Sequence, residues 1–155
     1  MLLAIDTSAG TSTALFDGET LLATIEFDDP FGHAENIGNA IAEVLHRADQ
    51  TADAVTAVAI GRGPAPYTGL RVGMAAGTSF ATALGLPMYS VMNLDAVAFA
   101  HGKAKIMVSS DAKRKELFVA TYESGERIFG PAVLKPEELS QFAGFEQVDG
   151  KCNAD

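Results

Sequence analysis

Residues 70–84 carry one charge, Arg71, and are otherwise Leu, Val, Met, Phe, Ala, Gly, Thr and Ser. Their spacing predicts a helix, closed by Gly85 and Pro87. A helix with no polar face must be covered on more than one side. In a chain of 155 residues a sheet can cover one side. The other side has two candidate covers: a neighbouring helix of the same chain, or another protein chain. Gly73 and Gly77 stand one turn apart and permit close backbone approach from whatever faces them. The preceding stretch, Gly61-Arg62-Gly63-Pro64-Ala65-Pro66-Tyr67-Thr68-Gly69, is dense in Gly and Pro. Such a loop entering a helix N-terminus is a ready anion site or a rigid connection. It is not a Walker A loop, because no Lys-Ser/Thr pair follows its glycines.

The rest of the chain predicts an α/β architecture. Residues 2–5, 11–16 and 20–27 read as strands, with Asp17-Gly18 as a hairpin turn. A loop, Asp28-Asp29-Pro30-Phe31-Gly32, leads into a helix over 33–48. There Ala34, Ile37, Ile41, Val44, Leu45 and Ala48 form one apolar face. Residues 55–60 are apolar on both faces, as a central parallel strand requires. Another strand is predicted over 87–92, and Asn93 or Asp95 is placed to cap a short helix. The pattern then restarts: strand 105–109, turn 111–114, strand 116–123, short strands 127–129 and 133–134, a helix over 136–142, and strand 145–148. A strand, an Asp, a turn and a strand thus occur twice, at Ile5-Asp6 and at Ser110-Asp111. The boundary falls near His101-Gly102, dividing the chain into 1–101 and 102–155.

Composition limits the chemistry. Apolar residues are 48% and charged residues 20% of the chain, so disorder is excluded. No apolar run is long enough to cross a membrane as a helix, and no basic segment precedes the first apolar stretch as in a secretory signal. A single cysteine, Cys152, excludes an internal disulfide framework, and the expected location is cytoplasmic. His33, His46 and His101 lack metal-site spacing, so no metal site is expected. The formal charge of −9 opposes unaided binding of nucleic acid. The densest basic cluster is Lys113-Arg114-Lys115, with Lys103 and Lys105 nearby. Asp6-Thr7-Ser8-Ala9-Gly10-Thr11, between two strands, suits either of two roles. It can offer N–H groups to a phosphate while Asp6 holds Mg²⁺, or it can be a tight turn satisfying its own backbone.

Four segments together resemble one family. They are Ala4-Ile5-Asp6-Thr7-Ser8, His33-Ala34-Glu35, Gly61 through Gly73, and Asp111-Ala112-Lys113-Arg114-Lys115-Glu116-Leu117-Phe118. In order and spacing they are similar to the TsaB (YeaZ) family, and the run from Gly63-Pro64 to Leu70-Arg71-Val72-Gly73 is the most specific. The resemblance implies an actin-like (ASKHA) fold of two ribonuclease H-like lobes. Family members usually continue beyond the length seen here, so the second lobe is expected to be incomplete.

The resemblance also implies a function. The protein would be a non-catalytic partner of the TsaD transferase, which uses threonylcarbamoyl-AMP to modify adenosine 37 of ANN-decoding tRNAs. TsaE, an ATP-binding protein, would be a further component. No cofactor, no catalytic residue and only indirect contact with tRNA are implied, together with a homodimer when the protein is alone. Asp6, Thr7 and Ser8 would be a vestigial phosphate loop. The partner surface is expected to involve His33, Ile37, Ile41, Leu45, Tyr67, Leu70, Arg71, Gly73, Met74 and Gly77. Two other classes stay open: an actin-like nucleotide-binding phosphotransferase using Asp6, Thr7 and Ser8, and a glycoprotease-like metallohydrolase.

Overall fold

The computed structural model describes residues 1–29, 32–65, 67–102 and 104–151. Expectations that fall on Pro30, Phe31, Pro66, Lys103, Cys152 or the Tyr67 side chain lie outside the described residues. The first sheet opens as an antiparallel meander of β1 (Leu2–Asp6), β2 (Thr11–Asp17) and β3 (Thr20–Phe27). After α1 (His33–Arg47), β4 (Ala57–Gly61) joins β1 in parallel; after α2 (Tyr67–Leu84), β5 (Met88–Val91) joins β4 in parallel. Helix α3 (Asn93–His101) leads to the second sheet. There β6 (Lys105–Lys113), β7 (Glu116–Glu123) and β8 (Glu126–Leu134) form another antiparallel meander, and β9 (Glu146–Asp149) lies parallel to β6.

The strand orders are β3-β2-β1-β4-β5 and β8-β7-β6-β9. The second sheet repeats the first as far as its fourth strand. The two strand–Asp–turn–strand openings agree with this repeat, and a duplicated plan is what the resemblance to an actin-like fold implies.

Helices α1 and α2 pack beside each other on the face of the first sheet that carries Leu3, Ile5 and Ile60. Ile37, Ala40, Val44 and Leu45 are buried along one stripe of α1, as its apolar spacing requires. Each large side chain buried as fully as Leu3 or Leu15 contributes roughly 1.5–3 kcal/mol. A second core joins Leu94, Val97 and Ala98 of α3 to Ile106 and Val108 of β6, Ala120 and Tyr122 of β7, and Val148 of β9. Helix α3 precedes the expected boundary near residue 101 yet packs with the sheet that follows it.

Several local expectations are corrected. The turn expected at 111–114 lies further along, because β6 continues to Lys113 with an irregularity between Asp111 and Lys113. The two short strands expected at 127–129 and 133–134 are one strand. Its register moves from Phe129↔Thr121 to Ala132↔Val119, so a bulge absorbs the Gly130-Pro131 interruption. The helix expected over 136–142 is a 3-10 segment, Pro136–Phe142. The strand expected at 55–60 begins at Ala57, after a 3-10 turn at Ala52–Ala54.

Candidate functional site

Asp6 ends β1 and is 4% exposed. Its two carboxylate oxygens are both engaged. Oδ1 accepts from the Ser8 backbone N–H at 2.9 Å and from the Ser8 hydroxyl at 2.5 Å. Oδ2 accepts from the Asn93 amide Nδ2 at 2.5 Å. The same amide nitrogen donates to Ser8 Oγ at 2.8 Å. Asn93, 2% exposed, opens α3. Its Oδ1 accepts from the Gly63 N–H at 2.7 Å, and its own N–H donates to the Gly63 carbonyl at 2.9 Å. The start of α3 is thereby tied to the β1–β2 turn and to the loop after β4. Asn93 caps no helix N–H; its side chain is taken by Asp6, Ser8 and Gly63.

The turn is held from the other side by α2. Thr7 Oγ1 donates to the Gly69 carbonyl at 2.8 Å and accepts from the Gly73 N–H at 3.1 Å. Thr11 Oγ1 meets His33 Nδ1 at 3.2 Å where α1 begins, and Thr13 Oγ1 donates to the Ala40 carbonyl at 3.0 Å. Asp6, Thr7 and Ser8 share the β1–β2 turn, and the structure shows where their polar groups go. A hydrated Mg²⁺ with a phosphate would have to displace Asn93 and Ser8 from the carboxylate, and Thr7 from the α2 backbone. These residues therefore do not fit a metal–nucleotide group as they stand. Among the described residues, no three His, Cys, Asp or Glu side chains gather in a metal-holding arrangement.

The helical residues separate into two sets. Ile37 and Leu45 are buried in the first core and Ile41 packs against it, which corrects their expected place on an outer surface. Gly73 and Gly77 are corrected as well, because both face the chain's own sheet. A Cβ on Gly73 would strike the Thr7 side chain; one on Gly77 would lie 2.5 Å from Ile60 Cδ1. The apolar helix thus uses its glycines to approach β1 and β4, and α1 covers another side. What remains outward is an edge with Arg71 and Met74, the latter 41% exposed. Leu70 and His33 are half-buried, with His33 beside Gly69 where the two helices begin. The outward edge of α2 continues onto β5, where Thr78 Oγ1 lies 3.5 Å from Met88 Sδ. Met88, Tyr89 and Val91 are exposed there, and sequence reasoning did not single them out. The available signal for β5 was the short, largely apolar run Met88-Tyr89-Ser90-Val91.

In the second lobe the Tyr122 hydroxyl donates to Asp95 Oδ1 at 2.7 Å, and Arg127 Nη1 lies 3.4 Å from the same oxygen. Burial first, and then the Asp95 carboxylate, push the Tyr122 hydroxyl above its ordinary pKa. Asp111, the counterpart of Asp6, is exposed and bonded to Lys113 through both backbone N–H and side chain. Those bonds hold its carboxyl below the usual range.

This arrangement can be compared with known proteins. The family model described as TsaD: tRNA N6-adenosine threonylcarbamoyltransferase matches residues 31–153. The chain belongs to this family. Within it, the chain is a homologue of TsaB (YeaZ) proteins. TsaB of Escherichia coli, a tRNA threonylcarbamoyladenosine biosynthesis protein, is 31% identical over 88% of this chain and 63% of its own length. An uncharacterized protein of Mycobacterium leprae is 37% identical over 90% of this chain and 40% of its own length. The solved structure of YeaZ from Pseudomonas aeruginosa superposes with a TM-score of 0.74 at 29% identity, covering 88% of this chain and 67% of that one. The chain therefore spans less than two thirds of the length of both curated relatives. No helix among the described residues is long and apolar enough to cross a membrane.

Proposed function

We propose that this chain acts as a non-catalytic subunit in threonylcarbamoylation of adenosine 37 in ANN-decoding tRNAs, in the cytoplasm, by pairing with a TsaD transferase. The observation that carries the reading is the closed β1–β2 turn. Where an actin-like enzyme would bind metal and phosphate, Asp6 is bonded to Asn93 and Ser8, and Thr7 to the backbone of α2. The turn works as internal structure, and the kinship with TsaB supplies the pathway. The partner surface is the outward side of the α1–α2 pair, with His33, Leu70, Arg71 and Met74, and Tyr67 at the start of α2. The same surface would serve a homodimer when the partner is absent. TsaE would join the larger assembly without replacing this contact.

The test is size-exclusion of the purified chain with and without the transferase, followed by tRNA modification with all components present. Co-elution, and modification that depends on this chain, are expected. ATP turnover by the chain alone, abolished by Asp6→Ala, would overturn the reading in favour of the phosphotransferase. Met74→Asp should weaken co-elution while leaving the thermal melt close to that of the parent, since the side chain already faces water.

A further inference from the structure

The hairpin joining β6 to β7 turns on three consecutive basic residues, all with left-handed backbone. Their φ angles are 67° at Lys113, 54° at Arg114 and 64° at Lys115. Residues with a Cβ avoid this region, and a tight hairpin normally places Asn or Gly there. Packing does not explain the choice, because all three residues are exposed. Lys113 is neutralised by Asp111 at 3.0 Å. Arg114 and Lys115 make no ion pair among the described residues. An unfavourable backbone at an exposed tip, kept by two uncompensated cations in a chain of net charge −9, is a feature that stability alone does not account for.

Its position points the same way. The first turn of α3 gathers the strand ends. Asn93 bonds Asp6 at the end of β1 and Gly63 just after β4, while Gly150, after β9, packs against Leu94 and Ser109 of β6. β6 runs on past that junction from Ser109 to Lys113, so the basic tip projects from the end of the molecule where the strand ends meet.

We propose that Arg114 and Lys115 form a contact for the phosphate backbone of an RNA substrate, held against the tip by the partner protein. This rests on the tRNA-modification reading above. Two cations on an exposed turn neutralise phosphates without reading bases, and the acidity of the whole chain keeps the contact too weak to act alone. An acidic protein segment is the competing occupant, and the experiment separates the two.

The test variant is the double substitution Arg114→Asn with Lys115→Gly, which removes both charges and installs residues the turn prefers. Its melting temperature should equal or exceed that of the parent, and it should co-elute with the transferase as the parent does. The complex is then titrated with tRNA between 50 and 200 mM salt. Each phosphate contact carries roughly half a decade of affinity across that range, so the variant complex should bind about tenfold more weakly at the low-salt end. Its log–log salt slope should be shallower by about one to two. Unchanged tRNA affinity and slope in an intact complex overturn the proposal. Loss of co-elution by the variant also overturns it and assigns the tip to a protein contact. If the parent chain forms no complex at all, the function reading fails first, before tRNA is added, and this proposal falls with it.

Discussion

Asp6 and Asp111 stand at corresponding places in the two lobes. Each lies near the end of the first strand of an antiparallel pair, and each faces a residue six positions further along the chain, Ser12 and Leu117. From there the two turns diverge. The first is folded inward: its carboxylate is nearly inaccessible and bonded to Asn93, eighty-seven residues away. The second points outward: the Asp111 side chain is 64% exposed and, among the described residues, bonded only to Lys113, two positions on. The same local beginning can therefore become a junction or a surface tip. What decides between them is whether other elements converge on it. Three do so at the first turn, α1, α2 and α3. The second turn projects past the end of its own sheet.

The largest expected effect tests the inward turn. Asn93→Leu would leave the Asp6 carboxylate buried beside an apolar side chain and strip Gly63 N–H of its acceptor. Leaving a buried polar group without its partner costs roughly 1–3 kcal/mol, and more for a charged one, and here two groups, the Asp6 carboxylate and the Gly63 N–H, are affected. Urea unfolding should show that loss, whereas Asp111→Ala, which disturbs only an exposed turn, should barely move the midpoint. Comparable losses at the two sites would erase the distinction between them.

Next is the helix that closes over the first turn. Gly77→Leu forces a side chain against Ile60 and Ile5, and overpacking of this kind costs roughly 1–3 kcal/mol. The change should appear in the thermal midpoint of the isolated chain. A normal midpoint with lost association would return Gly77 to an intermolecular surface. A smaller effect is expected from Thr7→Val, which keeps shape but removes the hydroxyl between Gly69 and Gly73. The expected loss is about 1 kcal/mol, the usual net worth of a hydrogen bond, because the hydroxyl's bonds to the Gly69 carbonyl and the Gly73 N–H disappear.

The smallest effect belongs to the outward turn. In an NMR titration the Asp111 carboxyl should ionise below the usual carboxylate range, and Lys113→Ala should move it upward by removing the side-chain bond. Because the folded value is depressed, the pair's contribution is complete above the unfolded pKa. It is lost as pH falls through the folded value. An Asp111 titration unaffected by Lys113→Ala would show that the side-chain bond does not persist in solution.

Much of this was legible in residue order. The alternation and turn signals of the strands, the apolar stripe of α1 and the repeat of strand, Asp, turn and strand are local patterns, and they lead directly to two sheets of related plan. The location of Asp6, Thr7 and Ser8 in one turn was legible too. The role of Asn93 was not. An Asn before a short helix reads as a cap, and nothing nearby in the chain reveals that its amide meets Asp6. Likewise the spacing of Gly73 and Gly77 shows that something approaches α2 closely, but not whether that surface is the chain's own sheet or another protein.

Sequence alone therefore determined the elements, their faces and the duplicated order, because hydrophobic period and turn chemistry act over a few residues. Tertiary structure decided which side of α2 was already covered, which of two matching aspartates was buried, and where the cations of the second turn came to stand. Those outcomes depend on contacts between segments far apart in the chain. Desolvation gives such contacts their energetic weight, since a carboxylate in water needs no partner and the same carboxylate beneath three helices must have one.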